Sequence, residues 1–79
     1  MVIKILGSGC KNCVTLGENA ETALRGMGRN EEVIKITDKK IIKDYGVQST
    51  PALVIDEQVV STGKVLAPKE IAELLEGKN

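Results

Sequence analysis

The stretch Gly7-Ser8-Gly9-Cys10-Lys11-Asn12-Cys13 holds both cysteines of this 79-residue chain. Before it runs Val2-Ile3-Lys4-Ile5-Leu6, rich in β-branched residues and ended by Gly7, which predicts a strand. After it the apolar period changes. Cys13, Leu16, Gly17, Ala20, Ala23, Leu24 and Met27 recur every three or four residues, the stripe of a helix lying on a core. The cysteines therefore stand where a strand hands over to a helix, and the free N–H groups and positive dipole end of that helix favour a thiolate. A spacing of three puts both sulfurs on one side of the helix, close enough to bond. Cys10, nearer the exposed end, is the expected nucleophile toward a disulfide. Cys13, inside the apolar stripe, is the expected resolving thiol. Lys11 adds a modest positive charge beside Cys10.

Outward from this stretch the remaining elements fall into place. Gly26 and Gly28 stop the helix, with Gly28 as its C-terminal cap. Val33-Ile34-Lys35-Ile36 reads as a second strand, so the first part of the chain is a βαβ unit with parallel strands and a right-handed crossover. Thr37 or Asp38 then caps a short helix carrying Ile41, Ile42 and Tyr45 on one side, and Gly46 closes it. Lys39, Lys40 and Lys43 lie mostly on its solvated side. Val47-Gln48-Ser49-Thr50-Pro51 leads, extended, into the strand Ala52-Leu53-Val54-Ile55. Asp56-Glu57-Gln58 is a hairpin loop to Val59-Val60-Ser61-Thr62, which Gly63 ends. Pro68 opens a last helix with Ile71, Leu74 and Leu75 inward and Glu70, Glu73 and Glu76 outward, before a frayed Gly77-Lys78-Asn79 tail. The order βαβαββα predicts an α/β fold with residues 1–79 as one domain: a four-stranded mixed sheet with three helices on both faces.

Bulk properties narrow the function. Eleven basic and eleven acidic residues are interspersed at zero net charge, and Tyr45 is the one aromatic residue. A nucleic-acid surface, which needs a basic face and stacking rings, is not expected. No apolar run approaches the roughly 20 residues of a membrane helix, and no signal-peptide pattern precedes the first strand. Two cysteines do not make a secreted disulfide scaffold. A bond closing so small a loop stabilises a fold by only about 2 kcal/mol before strain. Chemistry in a reducing, cytoplasmic setting is the better reason for the pair. With no histidine and no third cysteine, a structural zinc site is disfavoured, and no metal or cofactor is expected. A dimer sharing two such pairs, or a Cu(I) ion on two thiolates, stays open. Gly7-Ser8-Gly9 is not a dinucleotide fingerprint, because the third glycine position is Asn12.

Gly9-Cys10-Lys11-Asn12-Cys13 after a first strand, then Ser49-Thr50-Pro51-Ala52-Leu53-Val54-Ile55, then Gly63 and a last helix, resemble a small thioredoxin- or glutaredoxin-like protein. The resemblance runs through nearly the whole chain. It implies a minimal thioredoxin fold and a thiol–disulfide oxidoreductase that reduces protein disulfides through Cys10 and Cys13. It also implies that Pro51 is cis and opposite the cysteines, that the Thr50 backbone pairs with an extended substrate segment, and that Gly63 lines the same groove. Gly9 and Lys11, flanking Cys10, join these as expected substrate-binding positions. The implied partners are disulfide-containing client proteins and an upstream reductase of thioredoxin-reductase type or a small-thiol reductant, with the chain acting as a monomer. Typical thioredoxins have Trp where this chain has Gly9, Gly-Pro where it has Lys11-Asn12, and a buried carboxylate where it has Lys4. Tyr45 either lines the site edge or packs semi-exposed. Two other classes compete: a soft-metal carrier for Cu(I) or Zn, whose order would be βαββαβ, and a redox-inert thioredoxin-fold binding domain.

Overall fold

A computed structural model of the chain describes residues 2–29 and 31–77. The elements are β1 (Ile3–Leu6), α1 (Lys11–Gly26), β2 (Val33–Ile36), α2 (Lys39–Asp44), β3 (Ala52–Ile55), β4 (Gln58–Thr62) and α3 (Pro68–Glu76). The sheet order is β2-β1-β3-β4. β1 runs parallel to β2 and antiparallel to β3, and β3 runs antiparallel to β4.

Alternation along the two central strands divides the interior. Ile3 and Ile5 of β1 and Leu53 and Ile55 of β3 pack with Leu16, Ala20 and Leu24 of α1 and Ile71 and Leu75 of α3. The intervening Leu6, Ala52 and Val54 point the other way and pack with Ile42 of α2 and Val47. Because helices cover both faces, every residue of β3 is buried, and its unbroken apolar run follows from that placement.

Local chemistry sets the helix ends. At the end of α1, Gly28 takes φ +71° and its N–H donates to the Arg25 carbonyl at 3.1 Å. The Arg29 N–H reaches the Leu24 carbonyl at 2.9 Å, completing a Schellman motif. Asp38 caps α2 by accepting the Lys40 and Ile41 N–H groups at 2.8 and 3.4 Å. In α3, Pro68 occupies the first turn and Glu70 accepts the Ala67 N–H at 3.1 Å.

Three details differ from the sequence reading. Ile41 is 41% exposed; a helix of six residues turns only one narrow strip to the sheet, and Ile42 occupies it with half-buried Tyr45 beside it. Leu74 is only partly buried, beside the buried Ile71 and Leu75. The β3–β4 connection is a two-residue turn, Asp56-Glu57, with φ 50° and 67°, and Gln58 already pairs with Ile55 in β4. Two left-handed residues give the twist that suits a tight hairpin. Tertiary bonds hold Asp56 there: its carboxylate accepts the Val2 N–H and its own N–H donates to the Val2 carbonyl, each at 2.8 Å. The expected fraying of Lys78 and Asn79 lies outside the described residues.

Truncating a residue at the centre of the larger cluster should be costly. Leu53→Ala is expected to lower stability by about 2–5 kcal/mol in urea unfolding. Ile41→Ala, on the exposed side of α2, should stay within about 0.5 kcal/mol of the parent chain.

Candidate active site

Cys10 is the N-cap of α1, with extended backbone angles of φ −66° and ψ 164°. Its sulfur accepts the Cys13 N–H at 3.2 Å, and its carbonyl accepts the Val14 N–H at 3.0 Å. A sulfur thus fills the position usually taken by a Ser, Thr, Asp or Asn oxygen. Negative charge on that sulfur would meet both an N–H and the positive end of a sixteen-residue helix. Cys10 is exposed, whereas Cys13, one turn deeper, is 5% exposed. The two are joined as a disulfide, with their Cα atoms 5.0 Å apart.

Three chain segments converge on Cys13. Gly7, just past β1, is buried and its N–H donates to the Ile36 carbonyl at 2.9 Å. A Cβ on Gly7 would collide with the Cys13 sulfur, and would lie 3.9 Å from the Pro51 Cα. The Thr50–Pro51 peptide is cis, Pro51 is buried, and its carbonyl accepts the Gly63 N–H at 2.8 Å. Gly63 has φ +67°, and a Cβ there would press to 3.2 Å from the Ser49 Cβ. The structure therefore brings Cys10, Cys13 and Pro51 together, with Gly63 seated behind Pro51. Thr50 is exposed and lines, with Ser8, Lys39 and Lys43, an open cavity of about 190 Å³. Gly9, at φ +84°, faces open space, and Lys11 is exposed as the first residue of α1. Gly7 was not singled out by the sequence beyond ending a strand; only the approach of Cys13 gives it a place in the site.

The Thioredoxin domain family matches residues 1–76. The chain belongs to the thioredoxin family. It is similar to a thioredoxin of Methanocaldococcus jannaschii, at 37% identity over 82 residues that cover 99% of this chain and 94% of the relative. It is likewise similar to a thioredoxin of Methanothermobacter thermautotrophicus, at 35% identity over 75 residues, 95% of this chain and 97% of the relative. The Cys10–Cys13 pair is thus the CxxC of a thiol–disulfide oxidoreductase family. The described elements run βαβαββα, with α2 between β2 and β3, and not in the βαββαβ order of a metal carrier. Among the described residues no group of three or more His, Cys, Asp or Glu side chains is placed to hold a metal ion. No helix among them is long and apolar enough to cross a membrane.

The position of the thioredoxin carboxylate is taken by Lys4, and its side chain does not approach the cysteines' face of the sheet. It lies on the α2 side, where its Nζ donates to Glu57 Oε1 at 2.6 Å and to the Tyr45 hydroxyl at 2.8 Å. The Nζ also sits 5.6 Å from the Tyr45 ring centroid. Tyr45 is therefore a half-buried packing residue of the α2 side. The hydrogen bond that Lys4 donates to Glu57, then the one it donates to Tyr45, holds its ammonium above its ordinary range. The same bond from Lys4 holds the Glu57 carboxyl below its own.

Gly7→Ala forces either the Cys13 sulfur or the β1 end to move and is expected to cost about 1–3 kcal/mol in urea unfolding. Gly9→Asn, in open space and in a residue type that tolerates positive φ, should be far milder. For the surface tie, Glu57 is lowered on folding, so its contribution is present above its unfolded value of about 4.5 and lost as pH falls through the folded one. Lys4 is raised, so its contribution is present below 10.5 and lost as pH rises through the folded value. Glu57→Gln should lower the urea midpoint only between those limits, and added salt should shrink the difference.

Proposed function

We propose that this chain is a cytoplasmic, monomeric thiol–disulfide oxidoreductase that reduces disulfides of client proteins. The observation that carries this reading is the division of labour at the start of α1: an exposed N-cap sulfur on an amide and a helix dipole, with a buried sulfur one turn deeper. The Cys10 thiolate attacks a client disulfide, forming a Cys10–client bond and expelling the client's other sulfur as a thiolate that takes up a proton. Cys13 then gives up its proton and attacks Cys10. The Cys10–Cys13 bond forms, the Cys10–client bond breaks, and the second client sulfur leaves as a thiolate and is protonated. Two electrons have passed to the client. Thr50, exposed beside buried Pro51, is the edge along which an extended client segment lies, with Gly9, Lys11 and Gly63 as its flanks. A reductase of thioredoxin-reductase type or a small thiol returns the electrons. The family and the two relatives named thioredoxin support this chemistry.

Trapping tests the assignment of roles. Cys13→Ser should accumulate a mixed disulfide between Cys10 and a client, and Cys10→Ser should not. Alkylation of the reduced chain below about pH 8 should label Cys10 first. A redox titration should place the couple at about −270 to −200 mV. Preferential labelling of Cys13 would reverse the roles. Stoichiometric Cu(I) binding without disulfide turnover would point to the carrier class instead.

A further inference from the structure

The resolving step needs a thiolate at the least hospitable sulfur of the molecule. Cys13 is 5% exposed and its sulfur lies against Gly7, and burial disfavours a charged thiolate. Among the described residues no charged or polar side chain is buried, so no buried carboxylate is at hand to take the proton. From β1, Lys4 lies on the opposite face of the sheet, held by Glu57 and Tyr45. On α1 itself, Lys11 is exposed in the first turn and Glu18 is exposed beyond Gly17. The segment Ser49-Thr50-Pro51 carries no titratable side chain. β2 contributes Lys35.

Lys35 pairs in register with Ile5 and shares a face with Val33, which packs on the α1–α3 core. Its Cε lies 3.5 Å from where a Cβ on Gly17 would stand, with Ile5 alongside. The lysine stem therefore crosses α1 one turn below Cys13. Lys35 and Cys13 line the same cavity, of about 40 Å³, together with Gly7, Val14 and Thr37, the residue just past β2. No ion pair among the described residues engages Lys35. Lys35 is exposed as a whole while its Cε lies against Gly17, so its positive charge stands on the side of the molecule that this otherwise apolar cavity opens from.

We propose that Lys35 is the positioning residue for the resolving thiol: its ammonium favours the Cys13 thiolate, and the cavity gives the departing proton a way to solvent. The proposal rests on the reading of Cys13 as the resolving cysteine. In the step it serves, the Cys13 proton passes to water, the thiolate attacks Cys10, and the client sulfur leaves with the electron pair of the Cys10–client bond and is protonated in turn.

The test reads Cys13 directly, in the full-length reduced chain carrying Cys10→Ser, from the ultraviolet thiolate absorbance as a function of pH. Adding Lys35→Met, which keeps the stem and removes the charge, should leave about tenfold less Cys13 thiolate at neutral pH. Lys35→Arg should restore most of it. With Cys10 intact, release of a client from a preformed mixed disulfide should slow about tenfold in Lys35→Met at neutral pH and recover in alkali, as expected when only the thiolate fraction has changed. An unchanged Cys13 titration in Lys35→Met, or a deficit that arginine does not repair, would overturn the proposal. Mixed-disulfide trapping by Cys13→Ser depends on Cys10 and not on Lys35. Normal trapping with an unmoved Cys13 titration thus removes the role of Lys35 alone, whereas failed trapping with a moved titration removes the proposed function and leaves the electrostatic coupling standing.

Discussion

A sulfur that caps a helix must sit close to the first amides of that helix and still be open to a partner from outside. The Cys13 N–H donating to the Cys10 sulfur meets the first demand, and the exposure of Cys10 meets the second. Everything beneath serves to keep that helix start in place. A chain of this length buries only about 60% of its unfolded surface, so little stabilisation is left over for holding a strained or mobile site. Here Leu16, Ala20, Ala23 and Leu24 secure α1 against β1, β3 and α3, with Cys13 buried at its start. The reactive end of the helix is therefore anchored by the same contacts that form the larger core.

The position of the site follows from the sheet. β1 is a central strand, and α1 leaves from its carboxyl end, where open α/β sheets present their ligand-binding crevices. β3, antiparallel to β1, begins at that same end, with Leu6 opposite Ala52. Pro51 is thus delivered beside Gly7 and Cys13 by strand pairing alone. Gly7 has no side chain to hold the two segments apart, which is the physical reason a glycine is required there. The Gly63 N–H, bonded to the Pro51 carbonyl, extends the arrangement across the start of β3 to the end of β4.

Replacement of the usual thioredoxin carboxylate by Lys4 has a structural use on the far side of the sheet. The Lys4–Glu57–Tyr45 group links β1, the end of α2 and the β3–β4 turn. Glu57 is 62% exposed, so solvent screens the pair and its energetic weight is small. Its effect is geometric: strand alternation puts Lys4 on the α2 face, and Glu57 and Tyr45 fix where its ammonium sits there.

The order of elements, their ends and the reactive pair could be read from the chain because they depend on local properties. A change of apolar period marks strand or helix, Gly28 and Gly46 mark helix ends through left-handed φ, and two cysteines three apart at a helix start imply shared sulfur chemistry. What lay beyond the sequence depended on segments distant in the chain meeting in space. The need for glycine at position 7 comes from Cys13 and Pro51, and the direction of Lys4 comes from Glu57 and Tyr45. The seating of Lys35 across Gly17 comes from the parallel register of β1 and β2, and the exposure of Ile41 comes from how little of a short α2 reaches the sheet. Sequence periodicity says which face of an element is apolar, but only packing decides what stands opposite each residue, and the chemistry of the buried sulfur depends on those neighbours.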